Sequence, residues 1–171
     1  MRRVLAMAIC AAGVLATPAS VDAGHGGDVP HDFATGGGTN GFFQLGFSAQ
    51  SAADGSDPTG FVSARSRPDG GFPVPFRFGG EVTCLAVAGN RASIKYRFDH
   101  ADNPALVGGG IQIFVEDNGV PEDGQAVDQT GFLPPMTREA FEASQPNVCV
   151  PPSAGNYTPS EEGDIVVHDA G

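Results

Sequence analysis

The sequence predicts an all-β protein, an antiparallel β-sandwich or small β-barrel of about eight strands with one short loop helix. Three observations carry this expectation. Gly and Pro number 25 and 14 of 171 residues without a fixed period, which excludes a collagen-like chain and supplies many turns. Apolar and polar residues alternate over several short stretches, the period of a strand with one buried face. A single stretch carries helix-start signals. A hydrophobic share of 40% is too high for a wholly disordered chain, and the length suits one domain.

In chain order, residues 24–38 (GHGGDVPHDFATGGG) read as a flexible Gly-rich lead-in, followed by a single β-domain over 39–171. Phe43, Leu45, Phe47 and Ala49 share one parity, opposite Gln44, Gly46 and Ser48. Residues 61–66 and 72–78 are weaker strands, the second confined to an edge by Pro73 and Pro75. The apolar run Val82 to Ala88 meets a clear strand, in which Ala92, Ile94, Tyr96 and Phe98 alternate with Arg91, Ser93, Lys95 and Arg97. Gly89-Asn90 between them is a two-residue hairpin signal. Ile111, Ile113 and Val115 alternate with Gln112, Phe114 and Glu116, and Asp117-Asn118-Gly119 turns the chain. Thr137 caps a short helix over 138–143. Residues 147–150 and 164–169 are the last strand candidates.

The N-terminus reads as an export signal over residues 1–23: Arg2-Arg3, an apolar stretch from Val4 to Ala16, then Val21-Asp22-Ala23 with small residues placed for cleavage after Ala23, or alternatively after Ala19. The apolar stretch is too short to span a bilayer, so no transmembrane segment is expected. Cys10 follows Ile9 inside that stretch, which argues against lipid attachment. Loss of Arg2, Arg3 and Asp22 takes the 9 basic and 20 acidic residues to 7 and 19, so the mature chain has a net charge of -12. That balance argues against nucleic acid and anionic membrane surfaces as partners. Cys84 and Cys149 remain, and an even pair in an exported chain predicts a disulfide.

Gly36-Gly37-Gly38 and Gly46-Phe47-Ser48-Ala49, then Gly80 to Leu85 and Val87 to Ala92, then Val115 to Pro121, and finally Gly163 to Ala170 stand in an order of motifs. This order resembles small all-β domains of secreted bacterial proteins, the "post-choice-of-anchor" type of surface-protein domain. The resemblance spans roughly residues 35–170. It implies a compact exported β-domain and no activity. Between Pro121 and Asn147 the chain departs from it, replacing a brief connection with a longer segment that carries Pro134-Pro135 and the helix.

The sharpest chemical candidate is the acidic turn 116–124. Glu116, Asp117, Asn118, Glu122 and Asp123 offer the hard oxygen ligands that calcium takes, although the spacing is not the twelve-residue loop. The competing reading is a solvated turn. Asp99-His100-Ala101-Asp102-Asn103 is a second polar stretch, able to add ligands only where the fold brings it near. His25 and His31 with Asp28 and Asp32 sit in the lead-in, and His100 and His168 at strand positions read as surface or structural residues. No catalytic residue, cofactor site or nucleophile elbow is recognised. The chain has no Trp and two Tyr, which weighs against a sugar-binding platform, and its 12 Phe read as core. The reading is therefore an exported non-enzymatic β-domain that binds an extracellular or cell-envelope partner. The alternatives are a small secreted enzyme or carbohydrate-active domain, and a calcium-stabilised structural domain.

Overall fold

The computed structural model describes residues 30–41, 43–67, 69–70, 75–120 and 127–171. The predicted signal 1–23, residues 24–29 with His25 and Asp28, and the candidate ligands Glu122 and Asp123 lie outside the described residues. The strands are β1 (His31–Asn40), β2 (Phe43–Ala52), β3 (Thr59–Ser66), β4 (Arg77–Ala88), β5 (Arg91–Arg97), β6 (His100–Ala101), β7 (Gly110–Glu116), β8 (Gln129–Phe132), β9 (Thr158–Pro159) and β10 (Glu162–His168). Helix α1 (Arg138–Ala143) precedes β9. Helical residues make up 9% of those described, so the all-β expectation holds.

The strands form one antiparallel sheet in the order β10-β1-β2-β3-β4-β5-β7-β8-β9, with the two-residue β6 paired beside β4. This corrects the expected architecture. The sheet is neither a two-layer sandwich nor an eight-stranded barrel but a half-barrel of nine to ten strands, because each ladder continues into the next without a second sheet to pack on. Its concave face holds the core, with Val62, Ile94, Tyr96, Phe98, Val115 and Ile165 almost wholly buried.

The lead-in expectation also fails from His31 onward, where β1 pairs with β2 on one side and β10 on the other. A glycine run reads as flexible in one dimension, yet here it permits close backbone approach. A Cβ on Gly36 would lie 2.1 Å from the Asp164 carbonyl, and one on Gly163 would lie 2.1 Å from the Gly37 carbonyl. Both residues also take positive φ, at 135° and 127°. Residues 77 and 78 belong to a central strand rather than an edge, because β4 begins only after Pro75. Residues 147–150 form no strand. The hairpin at Gly89-Asn90 forms as expected, with Ala88 opposite Arg91 and Gly89 at φ 60°. Thr137 caps α1, its hydroxyl accepting the Ala140 N–H at 3.4 Å.

β5 is buried on both faces, contrary to its half-buried pattern. The segment 137–157 lies across its convex side as a strap, and each outward side chain holds one point of it. Arg97 Nη1 donates to Glu142 Oε1 at 2.5 Å, and its guanidinium stacks on the Phe141 ring. Lys95 Nζ donates to the carbonyls of Ser144, Gln145 and Val148 at 3.1, 3.1 and 2.5 Å. The Ser93 hydroxyl donates to the Val150 carbonyl at 2.8 Å, and Arg91 lies over the Tyr157 ring. From β7, the Gln112 carboxamide donates to the Val150 carbonyl and accepts its N–H. The predicted disulfide Cys84–Cys149 ties the strap to β4, with Cα atoms 5.7 Å apart.

Beyond β1, the outer edge of β10 meets carboxylates instead of another strand. Ile165 N–H donates to Asp128 Oδ2 at 2.8 Å and Val167 N–H to Asp117 Oδ2 at 3.0 Å. The opposite oxygens, Asp128 Oδ1 and Asp117 Oδ1, accept the N–H groups of Asn118 and Gly119, so both carboxylates are held on two sides.

Candidate functional site

Six elements end together at one end of the half-barrel, where β2, β4 and β7 begin and β3, β5 and β8 finish. Their inward residues alternate in parity, so β2, β4, β5, β7 and β8 each contribute a large apolar side chain at this end, whereas β3 contributes only Ala64. They do not fill the space. A cavity of about 440 Å³ remains, walled by Phe43, Leu45, Phe76, Phe78, Tyr96, Ile111, Ile113 and Phe132, with Leu106 and Pro135 from the connections. Its size falls within the range of small-molecule sites, and its wall is the apolar kind that such sites use.

Polar chemistry enters at two places. Tyr96 is 0% exposed, and its hydroxyl has no hydrogen-bond partner among the described residues. Burial pushes its phenol well above the ordinary value, so it stays protonated at any physiological pH. At the rim, Arg77 Nη2 lies 3.8 Å from Asp102 Oδ1, and the Asn103 side chain accepts the Ala105 N–H to cap a 3-10 turn at Pro104–Leu106.

A second cavity of about 320 Å³ lies on the outward face of the same strands, because Gln44 and Gly46 on β2 and Ser63 and Arg65 on β3 have the parity opposite to Leu45 and Ala64; Leu45, Ala64 and Arg77 border both cavities. Arg65, His100, Gln44, Ser63 and Gly46 complete its lining among the described residues. Arg65 Nε and Nη2 both donate to the neutral Gln44 Oε1, at 2.9 and 2.6 Å. His100 stacks on the Phe61 ring at 6.3 Å.

The acidic turn lies at the opposite end of β7 from the cavity, and its described members have protein partners. Glu116 Oε1 accepts from Arg91 at 2.9 and 3.1 Å, Asp117 caps β10, and the Asn118 amide donates to the Val127 carbonyl at 2.9 Å. The second polar stretch stands at the cavity end, so the fold separates the two instead of pooling their oxygens. No group of three His, Cys, Asp or Glu side chains converges among the described residues. His168 stacks on Phe33 at 5.0 Å, His31 lies 5.9 Å from the same ring, and Asp32 accepts the Ala170 N–H.

Sequence reasoning missed the cavity, because its wall consists of residues whose pattern only says core. It also missed Lys95, which is 3% exposed at a position where alternation assigns solvent. No described helix is long and apolar enough to cross a membrane. No protein family, curated protein or solved structure matches the chain.

Proposed function

We propose that this chain is an exported, non-enzymatic binding domain that takes a small apolar molecule into the open end of its half-barrel. The cavity of about 440 Å³ is the observation that carries the reading. Its ionisable lining residues are few: a protonated Tyr96, and Arg77 beside Asp102. Such a wall excludes water and offers surface, which suits retention of an apolar guest more than proton transfer. Export rests on the Arg2-Arg3 and Val21-Asp22-Ala23 signal, and the disulfide fits an oxidising compartment. The likeness to secreted bacterial surface-protein domains agrees with that location.

Titration of the neutral probe N-phenyl-1-naphthylamine tests the site. The folded protein should enhance and blue-shift its fluorescence saturably. Ala101→Trp, which adds bulk at a half-buried wall position, should abolish the signal while leaving circular dichroism unchanged. A folded wild-type protein that gives no saturable signal refutes the reading.

A further inference from the structure

We infer that the outward groove across β2, β3 and β4 is an oxyanion site that takes a phosphate group between Arg65 and Arg77. The sheet separates this groove from the apolar cavity, so the site does not depend on the guest proposed above. Strand register sets its layout. Gln44 stands opposite Arg65, and Arg65 opposite Arg77, so three outward side chains form one row across three strands. The next outward row is Gly46, Ser63 and Gly79, with His100 of β6 opposite Gly79. Its two glycines keep that row low beside the arginines, where the cavity of about 320 Å³ opens. A Cβ at Gly46 would meet only the Ser63 hydroxyl, at 3.7 Å, so the space above it is free. At Gly79 a Cβ would stand 2.9 Å from the His100 ring, which lies over that glycine and bounds the groove.

The fold leaves the charges of the arginine row poorly compensated, although like charges directly opposed on neighbouring strands weaken a sheet. Arg67, Arg91 and Arg97 each donate to a carboxylate. Arg65 forms no ion pair among the described residues. Its Nε and Nη2 donate to the neutral Gln44 Oε1, at 2.9 and 2.6 Å, which orients the guanidinium without neutralising it and leaves Nη1 for a ligand. Arg77 reaches Asp102 only at 3.8 Å, and both side chains are solvent-exposed. Glu81 stands one row farther along β4, opposite Phe61. A phosphate group carries about 1.5–2 negative charges near neutral pH, so one group matches both guanidiniums and accepts charge-assisted bonds from each. A chain of formal charge -11 repels anions over most of its surface, so two uncompensated arginines side by side select where one docks.

The test is a heteronuclear NMR titration of the folded protein with inorganic phosphate near neutral pH, the ionic strength held constant with sodium chloride. Phosphate should shift the amide signals of Gln44, Ser63, Arg65 and Arg77 saturably, with half-saturation at about 1 mM, as suits a solvent-exposed site. Acetate, with a single charge, should bind at least about tenfold more weakly. Arg65→Gln and Arg77→Gln, each alone, should weaken phosphate binding by at least about tenfold. Wild-type signals that do not saturate, or that respond to chloride as they do to phosphate, overturn the inference. Acetate that binds as tightly as phosphate overturns it too, and so do folded variants that keep the wild-type affinity. Should either variant fail to fold, the three wild-type titrations decide.

Discussion

Replacing Lys95 with Met tests whether the strap is held by specific polar contacts or merely lies on the sheet. The ammonium donates to three carbonyls, and their fates differ when it is removed. The Gln145 carbonyl keeps a second donor, the Val148 N–H at 2.9 Å. The Ser144 and Val148 carbonyls have no other described donor. Two orphaned acceptors at the low end of the usual penalty, about 1 kcal/mol each because water can reach these partly exposed residues, give about 2 kcal/mol. Methionine fills nearly the same volume, so no cavity cost is added. For a domain of this size the melting temperature should fall by about 4–8 °C. Urea unfolding at neutral pH reads the loss directly, as a lower midpoint at unchanged slope. An unchanged or raised midpoint would refute the reasoning, showing that burying this ammonium costs as much as its bonds return. Burial lowers the pKa of Lys95, so the unfolded chain binds more protons than the folded one between the folded and unfolded values. Its contribution to stability therefore rises with pH across that alkaline window, and the methionine variant should lack the rise.

Tyr96→Phe removes a buried hydroxyl that has no partner and should be neutral or stabilising by about 1 kcal/mol, against the usual loss for a core substitution. Because the folded pKa is raised, the wild-type protein loses stability as pH climbs above the ordinary phenol value of 10.0, and the variant should lose less; a destabilised variant in urea titrations contradicts this. Reducing Cys84–Cys149, which are 65 residues apart, should cost about 4 kcal/mol on the chain-entropy model, measured as the difference in unfolding midpoint with and without reductant. Asp128→Ala orphans the Asn118 and Ile165 N–H groups at a site 6% exposed and should cost about 2–4 kcal/mol, whereas Asp69→Ala, which removes only a solvent-exposed ion pair, should leave the unfolding midpoint nearly unchanged. Denaturant titrations of the two variants side by side check the contrast.

What was legible in the sequence was local. Gly89-Asn90 between two alternating runs specifies its hairpin with neighbouring residues alone, and Thr137 specifies a cap in the same way. What escaped depends on residues distant in sequence. Arg91, Ser93, Lys95 and Arg97 look like a solvent face until the strap from 137–157 covers them, and nothing in their own spacing announces that cover. The glycines of β1 look like linker because their strand partners, residues 45–47 on one side and 163–165 on the other, come from other parts of the chain. Asp117 offered oxygen for a cation in the sequence, yet that oxygen accepts an N–H from a strand 50 residues later. The cavity is the hardest case, since its wall draws on seven strands, β2 to β8, and its emptiness is a property of none of them.

The carboxylate cap on β10 has a consequence for how copies of this chain meet. A sheet edge with bare N–H groups is a template onto which any extended segment can add. Here two of those groups are already taken by Asp117 and Asp128, and an arriving strand would have to evict both carboxylates while approaching a chain of net charge -11. The same aspartates that fasten the last strand thus occupy two of the donors through which a further strand would have to add at that edge.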